Sequence, residues 1–192
     1  WPRRARRLCT SNPMTEALAS PWALDPLVVW IAAAWLAVLM LHAGLTKAMD
    51  RMLLVQHLGA YRVPDAWIWP LSLALPATEI LCGAALLSPW RPLGAALCAA
   101  LLLLYAGAMA WHRAAGRRLD CGCGGEPLPL SWALVARNAL LVLVCLPAGA
   151  AMAERPLRWA DQAVVLGAVL LGALLWAAFH QVLRQWRRAV TV

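Results

Sequence analysis

The chain has 192 residues, of which 63% are hydrophobic and 14% are charged. This composition is too apolar for a soluble domain of that size and indicates an integral membrane protein. The net charge of +8 comes mostly from arginines that flank apolar stretches, where anionic lipid attracts them. Because the sequence has no RNA-binding signature and no basic stripe with interleaved aromatics, we expect the lipid bilayer as a partner and no nucleic acid.

The amino-terminal segment is set apart from the rest of the chain. Residues 1 to 13 open with four arginines and lack the apolar core and cleavage site of a signal peptide. Met14 is an alternative start. We expect residues 1–25 to be a tail outside the fold, residues 26–182 to form the transmembrane domain, and residues 183–192 to be a basic tail.

Five apolar stretches follow, and a membrane-spanning helix needs about 20 mostly apolar residues. They run over about residues 26–46, 69–87, 92–111, 130–147 and 162–179. Only helices satisfy their own backbone hydrogen bonds in lipid. The predicted fold is therefore all-α: a membrane bundle of four core transmembrane helices, with a fifth, carboxy-terminal span packed outside. Tryptophans near the ends of these stretches favour the same limits, because indole prefers the membrane interface; they are Trp69, Trp90, Trp111, Trp132 and Trp159.

The connections set the topology. The segment 48–68 is amphipathic, which predicts a short interfacial helix that ends before Pro64. The short turn at 88–92 predicts that the second and third spans are antiparallel neighbours. With five spans, the loop after the first and the loop after the third lie on the same membrane face.

The loop after the third span contains Cys121-Gly122-Cys123. Glycine gives the backbone the freedom to close a small disulfide ring, and exposed or strained disulfides are the labile ones. Redox exchange is the interpretation we favour. Two alternatives stay open: a static disulfide or two idle thiols, and a zinc site completed by His112 or His57, although the spacing is not that of a paired CxxC site.

The other cysteines indicate packing. Cys82, Cys98 and Cys145 lie inside spans two, three and four, toward the face opposite the Cys-Gly-Cys loop. At about 1.5 Å of rise per residue they are expected to lie roughly 15 Å or more from the loop. Since a free cysteine behaves as a small hydrophobe, we expect these three to pack in the core and not to exchange with the loop pair.

Polar residues inside the spans are the remaining candidates, because intramembrane charges are costly and usually mark function. Glu79 in span two and Arg137 in span four are expected to face the interior and to pair across the bundle, with Asn138 adding a hydrogen-bonding group. Such a pair either fixes helix packing or lines a polar pocket for proton or quinone chemistry. His42 is either an interhelical donor or a proton carrier, and Lys47 is expected to snorkel to the interface.

Four sequence segments together resemble the family of methylamine utilisation protein MauE, within the wider DoxX-like group of redox-associated membrane proteins. The resemblance covers about residues 26 to 148, and the Cys-Gly-Cys segment is its most specific part. The segments are Ala43-Gly44-Leu45-Thr46-Lys47, Leu75-Pro76-Ala77-Thr78-Glu79, Asp120-Cys121-Gly122-Cys123-Gly124-Gly125 and Ala136-Arg137-Asn138.

The resemblance implies a membrane thiol–disulfide component that assists maturation of an exported protein, as in the biogenesis of methylamine dehydrogenase. It implies a thioredoxin-like membrane-anchored partner, a disulfide-rich substrate such as the small subunit of that enzyme, and a bacterial inner-membrane location. Cys121 and Cys123 would be the redox pair. The supporting positions would be Gly44, Lys47, Glu79, Arg137 and Asn138. The alternatives are a quinone-linked DoxX-like oxidoreductase subunit, with a quinone as the cofactor, and a structural membrane partner with an inert cysteine pair.

Basic residues favour the opposite orientation from the one the resemblance implies. Without residues 1 to 13, nine Lys and Arg residues lie on the Cys-Gly-Cys side and three on the other, which by the positive-inside rule would make that side cytoplasmic. Counting the four amino-terminal arginines on the other side gives seven against nine, which decides nothing. An exported-disulfide role requires the oxidising face, and the resemblance favours it.

Overall fold

The structure, a computed structural model, describes residues 23–117, 119 and 130–190, with side chains beyond residue 182 described only at Gln185. Six helices make up this part of the chain, and one isolated bridge joins Leu24 to Met152. The helices are α1 (Pro26–Met49), α2 (Arg51–Ala60), α3 (Asp65–Leu86), α4 (Arg91–Ala114), α5 (Trp132–Gly149) and α6 (Trp159–Val190). The all-α prediction is confirmed for the described residues.

Five of these helices are long and apolar enough to cross a membrane: α1, α3, α4, α5 and residues Trp159–Val182 of α6. Their outward faces carry leucines that would be costly in water, such as Leu97, Leu140 and Leu174. In a bilayer the same faces contact lipid. The protein is therefore a multi-pass membrane protein. The five end tryptophans are all exposed, as residues at the interface should be.

Helices α1, α3, α4 and α5 form the core, and each contacts its neighbours in the cyclic order α1, α3, α4, α5. Helices α3 and α5 therefore occupy opposite corners of the four-helix bundle. Leu36, Leu86, Cys98 and Leu141 meet in the buried cluster between them. The expectation that the internal cysteines pack in the core is confirmed, since Cys82, Cys98 and Cys145 are free and buried.

Helix α6 lies outside this core and packs against α1. No residue in its spanning window is buried. Its contact with α1 includes the edge-to-face pair of Trp35 and Trp176, whose ring centroids are 6.2 Å apart. The prediction of four core spans with the fifth packed outside is confirmed.

The backbones of α1 and α3 approach closely because glycines face the partner helix. A Cβ at Gly44 would lie 2.8 Å from Ile80 Cγ1 and 2.9 Å from the carbonyl oxygen of Pro76. A Cβ at Gly83 would lie 2.7 Å from Cγ of Leu41. Small residues at such crossings are how membrane helices pack without a hydrophobic driving force. The approach at Gly44 also determines where the next turn of α1 meets α3.

Contacts at the two ends of the bundle fix which loops share a face. At one end the Tyr61 ring meets His112 edge-on, with centroids 4.8 Å apart. At the other, Arg155 hydrogen-bonds Asp25 at 3.0 Å. The segment after α1 and the end of α4 thus lie together, which confirms that the loops after the first and third spans share one side.

The opposite end is closed by backbone and side-chain hydrogen bonds. Leu24 N–H donates to the carbonyl oxygen of Ala151 at 2.9 Å. The buried Arg91 guanidinium donates to the carbonyl oxygens of Ala148 and Ala150, the latter at 2.8 Å. The last carbonyls of a helix lack partners within it, and Arg91 satisfies two of them at the end of α5.

The segment between α1 and α3 contains one short helix, α2, which is separated from α1 by Asp50. The Asp50 carboxylate caps it by accepting from Leu53 N–H at 3.1 Å. Helix α2 ends at Ala60, before Pro64, as predicted, and its 10 residues are too few to span a bilayer. The next helix starts earlier than the apolar stretch suggested, at Asp65.

We predict that Gly44→Ala lowers the stability of the protein by about 1–3 kcal/mol, the usual cost of overpacking. The new methyl group would press on a backbone carbonyl of α3, which cannot rotate away. Gly107→Ala is the matched control, because a Cβ there meets nothing within 4 Å. Thermal unfolding in detergent would measure both, and equal melting temperatures for the two variants would contradict the close approach.

Candidate functional site: an intramembrane cavity

A cavity of about 540 Å³ lies among the helices, and all six contribute to its wall. Most of the wall is apolar, with Met40, Leu75 and Leu102 among its residues. The polar residues are few, and they include all four histidines of the chain, His42, His57, His112 and His180. A largely apolar cavity with a few convergent polar groups is the usual form of a small-molecule site, and its volume lies in the usual range.

The first polar cluster is built on Glu79 of α3. Its Oε1 accepts from Lys47 Nζ at 2.5 Å and from the Tyr105 hydroxyl at 2.7 Å. The Lys47 nitrogen also lies 5.2 Å from the centroid of the Tyr105 ring. Glu79 is fully buried and Lys47 is 7% exposed, so the ion pair is shielded from solvent. It joins α1 to α3 one turn after Gly44.

The second oxygen of the Glu79 carboxylate makes no hydrogen bond within the described part of the protein. Glu79 Oε2 is buried and has no hydrogen-bond partner among the described residues. Leaving a buried acceptor unpaired costs about 1–3 kcal/mol, so such a group needs an explanation. Glu79 is one of the few charged residues among those that line the cavity.

The second polar cluster is built on Arg137 of α5. Its Nη2 donates to Asn138 Oδ1 at 3.2 Å, and its guanidinium carbon lies 4.7 Å from the centroid of a Trp176 ring. His180 Nδ1 lies 2.9 Å from the carbonyl oxygen of Trp176. Because a carbonyl only accepts, Nδ1 carries the proton, and Nε2 is left to accept from Arg137 Nη1 at 3.2 Å. Arg137 thus ties α5 to α6.

The expected ion pair between Glu79 and Arg137 is wrong, although both residues line the cavity as predicted. The two helices stand at opposite corners of the bundle, and the carboxylate pairs with Lys47 instead. Lys47 was also expected to snorkel, and it does not. It turns inward and pairs with Glu79, so that the two buried charges satisfy each other. His42 lies on the cavity wall.

The end of the cavity nearest the predicted redox loop is formed by α2 and the end of α4. His57 and Tyr61 line it together with His112, whose Nδ1 lies 3.1 Å from Arg117 Nη1. Within the described ranges no group of three or more His, Cys, Asp and Glu side chains could hold a metal ion. The zinc alternative depends on the loop cysteines, so it stays untested.

Cys121 and Cys123 lie outside the described residues, but the two ends of their loop are described. Leu130 N–H donates to the carbonyl oxygen of Leu119 at 2.8 Å. Leu130 is buried with Met109 and Leu134 in a small cluster, and Met109 also lines the cavity. Residues 119 and 130 are therefore held together at one point, beside Met109 and close to the cavity.

Sequence reasoning missed three residues of the site: Tyr105, Trp176 and His180. Tyr105 could have been found, because it is one of only two tyrosines in the chain and the sole hydroxyl-bearing residue within its apolar stretch. His180 and Trp176 belong to the outer helix, which the pattern assigned to lipid contact. Only the tertiary contact between α5 and α6 brings them to the cavity.

Comparison with known proteins assigns the chain to a family. The family model described as "Methylamine utilisation protein MauE" matches residues 25–152, two thirds of the chain. This chain belongs to the MauE family. The match covers α1 to α5 and with them the Glu79 and Arg137 clusters, whereas Trp176 and His180 lie beyond it.

Three curated relatives are all named methylamine utilization protein MauE. The one from Paracoccus denitrificans is 34% identical over 128 residues, covering 64% of this chain and 69% of the relative. The one from Paracoccus versutus is 34% identical over 164 residues, covering 81% and 85%. The one from Methylophilus methylotrophus is 28% identical over 168 residues, covering 81% and 88%. No solved structure matches the chain at a significant level.

We predict that Glu79→Gln and Lys47→Met each destabilise the protein by about 3–5 kcal/mol, because each strands the other charge in the bundle. The double variant should recover most of that loss, since no unpaired charge remains. Thermal unfolding in detergent and the amount of protein in the membrane measure all three. Glu154→Gln in the exposed loop before α6 is the control for an acid-to-amide change. Additive losses in the double variant would contradict a buried ion pair.

Proposed function

We propose that this MauE-family protein is a membrane thiol–disulfide redox component that assists disulfide formation in an exported protein during methylamine utilisation. The observation that carries the proposal is the hydrogen bond between Leu119 and Leu130. It clamps the ends of a ten-residue loop that carries the Cys-Gly-Cys sequence. The family membership supplies the setting, because the three relatives are named for methylamine utilization.

Covalent connectivity supports a role for the pair beside the bundle. Cys121 is two positions after Leu119 in the sequence, and a chain spans at most about 3.6 Å per residue. The Cα of Cys121 is therefore within roughly 7 Å of the Cα of Leu119. Any partner that reaches the pair approaches the membrane face on which α2 and the end of α4 lie.

The residues around Cys121 and Cys123 favour thiol–disulfide exchange over a permanent disulfide bond. The thiolate is the attacking species, and a nearby cation favours it. Arg117 lies next to this loop and is close to His112. The internal cysteines are buried in the core, away from this face, so they are poor resolving thiols. Electrons from the pair would therefore leave through another molecule.

The proposed setting is the bacterial inner membrane, with the pair on the periplasmic face. An exported substrate acquires its disulfides in that oxidising compartment. The proposed partners are a thioredoxin-like membrane-anchored protein and a disulfide-rich exported protein, such as the small subunit of methylamine dehydrogenase. A structural partner with an inert cysteine pair is the alternative that the experiment below separates from this proposal.

We predict that Cys121 and Cys123 cycle between dithiol and disulfide. A thiol-trapping gel shift in intact cells should show both states for the wild type. Changing either cysteine alone to serine should trap a mixed disulfide with a partner, because the resolving thiol is missing. Changing both should abolish the signal and the maturation of the target.

Cys145→Ser is the matched control, since its side chain hydrogen-bonds the carbonyl oxygen of Leu141 and serine keeps that bond. It should leave the gel shift unchanged. A loop pair that is always reduced, together with full target maturation in the double variant, would leave only the structural role.

A further inference from the structure

Basic side chains frame the end of the cavity that is formed by α2 and the last turn of α4. His57 and His112 line it, and His112 Nδ1 lies 3.1 Å from Nη1 of Arg117. Because a guanidinium only donates, this nitrogen accepts, and the contact holds Arg117 beside the cavity. Arg62, just after α2, is exposed and acts electrostatically on the same His112 ring. Two arginines therefore flank this end, which we call the mouth of the cavity.

No salt bridge neutralises these two arginines within the described part of the chain. The ion pairs found there lie elsewhere, between Lys47 and Glu79 and around Arg155 at the opposite end of the bundle. Asp65, three residues after Arg62, takes part in none of them. Phosphate oxygens accept from a guanidinium as carboxylates do, often through two parallel hydrogen bonds. The mouth is therefore suited to an anion that carries a phosphate.

The backbone at Arg62 supports a role for its side chain. Helix α2 ends in a Schellman motif: Arg62 N–H donates to the carbonyl oxygen of Gly59 at 2.9 Å, and the following N–H donates to that of Leu58 at 3.1 Å. Arg62 has a φ of 58°, in the left-handed region that suits glycine and is costly for other residues. An arginine at a position that favours glycine points to a use for the charged group.

The cavity continues from its mouth along α4 as an apolar channel. His112 and Leu102 both line it, as do Met109 and Ala108 between them. Ten residues of helix cover about 15 Å, which is about half of the roughly 30 Å hydrocarbon thickness of a bilayer. Leu102 belongs to the same buried cluster as Leu141 of α5, so the deep end is apolar. The channel thus reaches about as deep as one lipid leaflet.

The charged groups along the channel are engaged by the protein itself. Lys47 and Glu79 form their ion pair. Arg137 donates to Asn138 and lies against the Trp176 ring. Because these charges have protein partners, an occupant needs no charge of its own below the mouth. The wall therefore suits a hydrocarbon chain, and the anionic group of the occupant belongs at the mouth.

We propose that the cavity binds one acyl chain of an anionic phospholipid, whose phosphate is held between Arg62 and Arg117 at the mouth. A chain anchored at the interface and one leaflet long fits the depth of the channel. A zwitterionic lipid also carries an ammonium group, which the two arginines repel, so the site prefers a lipid with a net negative charge. Basic pockets between transmembrane helices bind such headgroups. This site goes beyond the proposed function, because it uses neither loop cysteine.

The binding test is native mass spectrometry of the full chain in detergent, titrated with phosphatidylglycerol or with phosphatidylcholine of the same chain length. We expect one phosphatidylglycerol to bind saturably, about fivefold or more tighter than phosphatidylcholine, since each nearby arginine favours an anionic headgroup by about that factor. Glycerol phosphate, which has the charge without the chains, should bind far more weakly. Equal affinities for the two lipids would overturn the proposal, and so would glycerol phosphate binding as tightly as the lipid.

Arg62→Gly separates the headgroup contact from folding. Glycine relieves the left-handed backbone, so the melting temperature in detergent should equal or exceed that of the wild type. The preference for phosphatidylglycerol should nevertheless fall about fivefold, and Arg117→Gln should lower it similarly. Arg158→Gln, at an exposed arginine in the loop at the opposite end of the bundle, is the matched control. A preference that survives in Arg62→Gly, or that falls equally in Arg158→Gln, would contradict the assigned mouth.

A second pair of variants locates the acyl chain. Ala108→Phe places a ring among the residues that line the cavity and should abolish the bound phospholipid. Ala100→Phe, on the exposed side of the same helix, should not. Lipid binding that is unchanged in a folded Ala108→Phe would refute the cavity as the site. If Ala108→Phe does not fold, Arg62→Gly decides.

The variant in which Cys121 and Cys123 are both changed to serine separates this inference from the proposed function. It should bind phosphatidylglycerol as the wild type does, because no thiol takes part, and a loss of lipid binding there would contradict the assigned contacts. Thiol cycling in cells without a preference for anionic lipid would refute the lipid site and leave the proposed function intact. Lipid binding without thiol cycling would do the reverse.

Discussion

The structure depends on one buried ion pair, between Lys47 of α1 and Glu79 of α3. Two charges inside a membrane bundle are tolerated only when they satisfy each other, and their contact requires the two helices to approach closely. Gly44 permits that approach one turn earlier, where a side chain would strike the carbonyl oxygen of Pro76. Proline at 76 has no N–H to donate to the preceding turn of α3. The packing of small residues and the position of the charges are thus parts of one arrangement.

The same ion pair explains why there is a cavity. Lys47 engages one carboxylate oxygen, so Arg137 on the opposite corner is not drawn across the bundle to Glu79. It turns instead toward Asn138, Trp176 and His180. The space between the two corners stays open, bordered by an acceptor on one side and donors on the other.

Much of this could be predicted from the sequence, and the failures have physical reasons. Spans are set by local apolar length, so their number, the helical fold and the shared face of two loops followed from the pattern. The residues of the site, Glu79, Arg137, Asn138, His42 and Lys47, were identified because charges and polar groups are rare in spans. Their pairing could not be predicted, because it depends on which helices are neighbours and which are diagonal. The roles of Tyr105 and His180 also required the tertiary structure.

The residues that the family model matches are not the same set as the residues that line the cavity. The match ends at residue 152, whereas α6 supplies Trp176, Ala177 and His180 to the wall. Helix α6 contributes little to the core, since its spanning window has no buried residue. Its contribution is one side of the cavity, through the contact of Arg137 with His180. The outer span therefore belongs to the site as much as the four core helices do.

The most direct test of this account is a solid-state NMR measurement of the distance between Lys47 Nζ and Glu79 Cδ in lipid bilayers. Selective ¹⁵N-lysine and ¹³C-glutamate labelling suits it, because Lys47 is the only lysine of the chain and Glu79 can be assigned by its loss in Glu79→Gln. The account predicts strong dipolar dephasing at contact range, as the 2.5 Å separation of Nζ and Oε1 requires. Dephasing that is absent, or that persists unchanged in Glu79→Gln, would contradict it.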